Sequence, residues 1–146
     1  MSERLDELRA LGRLQDVPAD PRAVSHLLED ADRHLRTAKL ALQEGDLAGS
    51  YQLAYDAARK SLTAMLLSRG LRSRGLGAHA VLIEAVRAVF VHEGGIEVLR
   101  PLDRMRRIRN DAEYTGYPFD RNEVQHDLEA AAEIVAFAAD VLRRSP

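Results

Sequence analysis

Apolar residues recur at steps of three and four along most of the chain, and that period predicts helices. A short pattern of Leu5, Leu8 and Leu11 comes first and is closed by Gly12 and Pro18. Asp20-Pro21 then joins a side-chain cap acceptor to a proline suited to the first helical position. The stripe behind it, Leu28, Ala31, Leu35, Ala38 and Leu42, runs to Gly45, a residue that ends helices at little cost in the left-handed conformation. Asp46 caps a second stripe, Leu47, Tyr51, Ala54, Tyr55, Ala58, Leu62, Met65 and Leu66, closed by Gly70. Residues 71–77, with Arg72, Arg74, Gly75 and Gly77, read as a loop. Ala78, Leu82, Ala85, Val86, Val89 and Phe90 define a third helix, broken at Gly94-Gly95.

A shorter helix is expected from near Ile96, kinked or restarted at Pro101 and carried by Leu102, Met105, Ile108 and Ala112. Residues 115–118 form a loop. Asp120-Arg121-Asn122-Glu123 has capping-box spacing and opens a last helix with Val124, Leu128, Ala131, Val135, Ala138 and Leu142 on one face. Arg143 and Arg144 sit at its C-terminus, where the helix dipole favours cations. No segment alternates as a strand does. The expected fold is all-α: an antiparallel up-and-down bundle of four main helices plus a short extra helix. Residues 1–19 are an arm or short helix and residues 20–146 the bundle; whether the arm packs or hangs free stays open.

Composition fits this reading and narrows the function. The 46% hydrophobic fraction is enough for one core, and its Ala and Leu bias suits close-packed helices. Charged groups make up 30% of the residues yet sum to only −2, so a nucleic-acid site would have to be a local patch. The absence of cysteine excludes disulfides, thiol nucleophiles and thiolate metal sites. Neither a secretory signal nor a membrane-length apolar run is present, which points to the cytoplasm. The preference for Arg over Lys suggests a GC-rich bacterial genome.

Chemistry concentrates around residues 100–114. Arg100, Arg104, Arg106, Arg107 and Arg109 fall within ten positions and run into Asn110-Asp111-Ala112-Glu113-Tyr114. Guanidinium groups clustered on one helix end can hold a phosphate by bidentate hydrogen bonds. The competing reading is a solvated face with Arg109 paired to Glu113 one turn away. Arg104, Arg106, Arg107, Arg109 and Asn110 are the candidate ligand-binding residues. Arg109, Tyr114 and His79 are the candidates for catalysis, none of them compelling. The five histidines lack metal-ligand spacing, so no metal is expected, and no motif implies a cofactor. His79, after the glycine-rich loop, reads more readily as a packed or capping residue than as a base. Tyr51 and Tyr55, one turn apart, suggest a buried stripe with hydroxyls reaching the rim; a functional alternative has Tyr55 or Asp56 lining a cleft beside the arginines.

Three segments in order carry a resemblance: Ser50-Tyr51-Gln52-Leu53-Ala54-Tyr55-Asp56-Ala57-Ala58-Arg59-Lys60, then Gly77-Ala78-His79, then Arg106-Arg107-Ile108-Arg109-Asn110-Asp111-Ala112-Glu113-Tyr114. Over about residues 22–144 the chain resembles the HEPN superfamily, the higher eukaryote and prokaryote nucleotide-binding domains. The resemblance implies a helical bundle, commonly a homodimer. Many relatives are metal-independent RNases in toxin or defence systems; others partner a nucleotidyltransferase or only bind. Active members place a histidine after an arginine, four to six residues intervening. Here Tyr114, Thr115 and Gly116 occupy those places after Arg109, and Glu113 falls five intervening residues after Arg107. An unperturbed tyrosine, with a pKa of about 10, is a poor proton shuttle near neutrality.

The expectation is therefore a HEPN-like module without catalysis. It acts by dimerising and by binding a nucleotide, nucleic acid or partner protein, for instance an antitoxin or nucleotidyltransferase in a toxin–antitoxin or stress context. Its arginine motif would be structural, with Arg109 bonded to Glu113 or a neighbouring helix and Tyr114 packed at the bundle end. The alternative is a divergent metal-independent RNase using Arg106, Arg109 and Tyr114, with His79 supplied from elsewhere in the fold. An unrelated helical adaptor is the third possibility.

Overall fold

The computed structural model of the chain describes residues 3–145. Its elements in order are α1 (Glu3–Ala10), β1 (Leu14–Asp16), α2 (Pro21–Gln43), α3 (Leu47–Ser68), β2 (Leu71–Ser73), α4 (Ala78–Val89), a single 3₁₀ turn (Ile96–Leu99), α5 (Leu102–Tyr114) and α6 (Arg121–Arg144). The helices begin where the cap residues stand. Asp20 accepts from the Ala23 N–H, Asp46 from Gly49 and Asp120 from Asn122, each satisfying a first-turn donor that lacks a partner within the helix. Pro101 restarts the chain: the 3₁₀ turn ends before it and α5 begins after it. The expected capping box at α6 is replaced by a simple cap: Asp120 accepts from the Asn122 N–H instead of that of Glu123, and Glu123 accepts from the Tyr117 hydroxyl at 2.8 Å.

Helix α3 lies at the centre, in contact with α2, α4, α5 and α6. Small buried residues, Ser50, Ala54, Ala57, Ala58, Ser61 and Ala64, let neighbouring backbones come close, while Tyr51, Tyr55, Leu62, Met65 and Leu66 fill the layers between them. The Ser50 hydroxyl donates to the Ala38 carbonyl at 2.8 Å and ties α3 to α2. Leu82, Val86, Leu102, Met105, Val124, Leu128 and Ile134 complete one continuous core.

The all-α bundle is as expected, with one addition: a small antiparallel sheet takes up part of residues 71–77, read as a loop. β1 pairs with β2 in the register Leu14 to Ser73, Gln15 to Arg72 and Asp16 to Leu71. Segments of three residues are too short for alternation to show. The sheet brings the start of the chain against the end of α3, and Leu5, Leu8 and Leu14 join the main core. Leu11, read as the third member of that stripe, is instead exposed because α1 has already ended. Gly70 makes the turn from α3 into β2. Its φ is +70°, a Cβ there would meet the Val17 carbonyl oxygen at 3.1 Å, and its own carbonyl accepts from the Val17 N–H at 2.9 Å. Among the described residues no helix is long and apolar enough to cross a membrane.

Candidate functional site

The buried stripe of α5, Leu102, Met105 and Ile108, divides its arginines into separate groups. At 3.6 residues per turn, Arg106, Arg109 and Glu113 leave the helix on one flank of the stripe, Arg104 on the other, and Arg107 and Tyr114 on the outer side. The sequence cluster is therefore not one patch.

Arg104 turns toward α6. Its Nη1 donates to Asp127 Oδ2 at 2.9 Å and its Nη2 to Oδ1 at 2.8 Å, while the Tyr51 hydroxyl donates to Oδ2 at 2.7 Å. Asp127 is 1% exposed, and a carboxylate so placed is tolerated only with this degree of hydrogen bonding. Burial works against its ionisation, yet the bonds from Arg104, Tyr51 and His126 prevail and hold it below its usual range. The same arrangement pushes the Tyr51 phenol well up, through burial first and then its bond to Asp127. The Tyr51 hydroxyl thus joins an internal network instead of reaching the rim. Asp127 gave no signal in the sequence, where it reads as an ordinary polar position in the first turns of a helix.

Arg106 and Arg109 face α3 and the start of α4. The Arg109 guanidinium carbon lies 6.0 Å from the centre of the Tyr55 ring, and the His79 ring lies 5.9 Å from it. Arg109 Nη1 meets Glu113 Oε2 at 3.1 Å, the expected pair one turn apart. Gln52, its amide oxygen turned to the same guanidinium, accepts from Nη2 at 2.9 Å and Nε at 3.3 Å, so a neighbouring helix also holds it. Arg59 of α3 belongs to this group. Its Nε stands 3.6 Å from Asp56 Oδ1, and Arg106 Nε stands 3.9 Å from Asp103 Oδ1. Both separations exceed a hydrogen bond, and both Nε atoms are buried without a hydrogen-bond partner. Such buried donors are uncommon in folded proteins.

Three arginines act together on His79 and Tyr55. Burial lowers the His79 pKa below 6.5, and Arg59, Arg109 and Arg106 lower it further, with Asp56 opposing. Burial raises the Tyr55 phenol to about 12 against the pull of Arg106, Arg59 and Arg109. Tyr55 is 1% exposed, as the buried-stripe reading expects, and Arg109 stands against its ring. Asn110 is half-buried on the next turn, and Arg107 is exposed. Tyr114 is 78% exposed, which corrects the expectation that it packs at the bundle end: it lies on the outer side of α5, away from the stripe that faces the core. His26, His92 and His126 are exposed, and among the described residues no group of three or more potential ligands could hold a metal ion. Arg59 was missed as a site residue because it lies in α3, far along the chain from the arginines of α5; only the fold sets it beside them.

The chain belongs to the HEPN family: the HEPN domain model matches residues 24–142. Among solved structures it is similar to TT1696 from Thermus thermophilus, at 26% identity and a TM-score of 0.59, over 80% of this chain and 96% of that one. No curated protein matches the chain.

Proposed function

We propose that this HEPN domain is a non-catalytic module that binds the phosphate of a nucleotide or RNA in the cleft formed by Arg59, Arg106, Arg109 and His79. One observation carries the reading: two of these guanidinium groups present buried Nε–H donors with no hydrogen-bond partner, beside a third arginine and a histidine. A phosphate supplies acceptor oxygens and a charge that arginines match bidentately. Asp56, Asp103 and Glu113 stand 3.6, 3.9 and 3.1 Å from the three guanidinium groups, so the reading rests on the donors without a hydrogen-bond partner and not on an excess of charge. Binding without cleavage is supported by the motif itself, in which Tyr114 replaces the family's histidine and points to solvent. Tyr55, with its pKa pushed to about 12, stays protonated and serves as a wall.

The module acts as a homodimer in this reading. The exposed Tyr114 ring at the end of α5 offers an aromatic contact to a second copy. Membership of the family supports work in a toxin–antitoxin or stress setting, with an antitoxin or nucleotidyltransferase as the partner protein.

A second reading, a metal-independent endoribonuclease, draws on the position of His79 beside the cleft arginines. A neutral imidazole next to phosphate-binding groups is suited to move a proton. Incubating the purified chain with total RNA and with labelled oligonucleotides in EDTA separates the two. Retention of intact RNA, weakened by Arg109→Ala, supports binding. Cleavage lost on Arg109→Ala or His79→Ala replaces the binding reading with the nuclease.

A further inference from the structure

Gln15 lies opposite Arg72 in the small sheet, and the Arg74 N–H extends the ladder to the Arg13 carbonyl at 3.0 Å, which sets Arg13 opposite Arg74. Side chains two apart on a strand share a face. Arg13, Gln15, Arg72 and Arg74 therefore stand together on one face, while Leu14 and Leu71 of the other face are buried in the core. The three arginines are exposed. Arg72 Nη2 and Arg74 Nη1 donate to one neutral acceptor, Gln15 Oε1, at 2.9 and 3.2 Å, so their order costs them no charge. Asp16, of the opposite parity, is paired to Arg9. Unpaired arginines occur elsewhere on the surface, Arg36 and Arg100 among them; here the register gathers three cations and no anion on one face.

An apolar tip stands beside this face. Leu76, two residues beyond Arg74, is 93% exposed between Gly75 at φ +82° and Gly77 at φ +73°. Both glycines hold a backbone conformation that other residues rarely adopt, and the turn they make keeps a large apolar side chain in water. Three cations on one flat face call for an anionic partner. None of the residues on this face is aromatic, so it lacks the stacking platform by which single strands of nucleic acid are held. Arginine clusters also recognise acidic peptide segments. A leucine at the edge of such a cluster finds an apolar counterpart in a protein and none in a phosphate backbone.

We infer that the outer face of the sheet docks an acidic segment of a partner protein, with carboxylates on Arg13, Arg72 and Arg74 and an apolar side chain against Leu76. The charge of the face selects the segment, and the leucine fixes where it sits. This docking surface does not depend on a phosphate in the cleft, although Arg72 also borders the hollow lined by Arg59 and His79.

The test is a fluorescence-anisotropy titration of the full chain with a labelled peptide in which glutamate alternates with threonine around a central leucine. Counterpart peptides carry glutamine for every glutamate, or serine for the leucine, and an oligothymidylate is the nucleic-acid arm. The variants are Arg13→Gln/Arg74→Gln, which leaves Arg72 at the hollow in place, Leu76→Ser, and Arg36→Gln as an exposed arginine of α2 away from the sheet. All of the substituted side chains are exposed, so the fold should be retained, as circular dichroism checks. The acidic peptide is expected to bind in a salt-dependent manner and its glutamine counterpart to bind at least roughly tenfold more weakly. The arginine double variant should lose roughly tenfold or more for the acidic peptide, as expected for charge-assisted contacts, and Arg36→Gln should lose nothing. Leu76→Ser should weaken the leucine peptide by about fivefold or more and leave the serine peptide unchanged. Failure of the acidic peptide to bind overturns the inference. Unchanged affinity in the arginine double variant or in Leu76→Ser overturns it, and so does an equal loss in Arg36→Gln. Oligothymidylate bound more tightly than the peptide, and released by Arg13→Gln/Arg74→Gln, overturns it in favour of a nucleic-acid surface.

Discussion

Arg104 and Asp127 form a two-point bridge between α5 and α6, with nitrogen–oxygen distances of 2.9 and 2.8 Å, and the carboxylate is 1% exposed. The bridge takes Arg104 out of the arginine cluster that its sequence position suggests. Arg104→Ala leaves a buried carboxylate held only by Tyr51 and His126. The expected cost is about 1–3 kcal/mol, below the range for a fully buried pair because Arg104 itself is partly exposed. Chemical denaturation measures this loss. Nucleotide binding should be unaffected, whereas Arg106→Ala and Arg109→Ala should weaken it with smaller effects on stability.

The same network sets an acid limit on stability. Asp127 is held below the usual carboxylate range in the folded chain, so at mildly acidic pH the unfolded chain takes up the proton more readily. The stabilisation is fully present above the unfolded carboxylate pKa of about 3.9 and is lost as pH falls through the lower folded value. Melting temperatures measured across acidic pH should fall steeply in that window. Asp127→Asn should start from a lower plateau and show a shallower fall.

His79 responds in the opposite direction to an anion. Burial and three nearby arginines lower its pKa below 6.5 in the free chain, so folding disfavours its protonation and stability declines as pH falls from about 6.5 through the folded value. A bound phosphate offsets the arginine charge and raises that pKa. Proton NMR of the imidazole should show a midpoint below 6.5 that moves upward on adding nucleotide, with affinity increasing on acidification. His79→Gln should remove this part of the pH dependence and keep binding at about pH 8, where the imidazole is neutral in any case. A midpoint unmoved by saturating nucleotide would place the ligand elsewhere.

The N-terminal segment should behave as part of the bundle. Leu8 is fully buried within the main core, although only a short helix carries it. Leu8→Ala is expected to cost about 2–5 kcal/mol in denaturant unfolding, the range for a core leucine truncated to alanine. Leu11→Ala, at an exposed position of the same segment, should stay within about 0.5 kcal/mol.

The sequence disclosed what local chemistry controls. Asp20, Asp46 and Asp120 cap helices because a short acceptor before an apolar stripe leaves the backbone few alternatives, and the α3 stripe from Tyr51 to Leu66 is buried as its period requires. Non-local partners were hidden. Gln15 and Arg72 are far apart in the chain, and nothing within either three-residue strand marks the other as its mate. The cleft was half visible: Arg106 and Arg109 stand in an evident cluster, but Arg59 and His79 reach them only through the packing of α3 and α4. Arg104 was visible as part of that cluster, yet its buried partner Asp127 is set by how α5 and α6 cross.

Arg59, Arg106 and Arg109 are proposed to hold a phosphate without cleaving its ester. The most direct test is an equilibrium titration in EDTA of a labelled oligouridylate with the unmodified chain and with Arg59→Gln/Arg106→Gln, at two salt concentrations, followed by electrophoresis of the recovered RNA. The expected result is salt-dependent binding by the unmodified chain, an affinity lower by roughly tenfold or more in the double variant, and intact RNA in both. Equal affinity in the two proteins, or RNA cut by the unmodified chain, would contradict it.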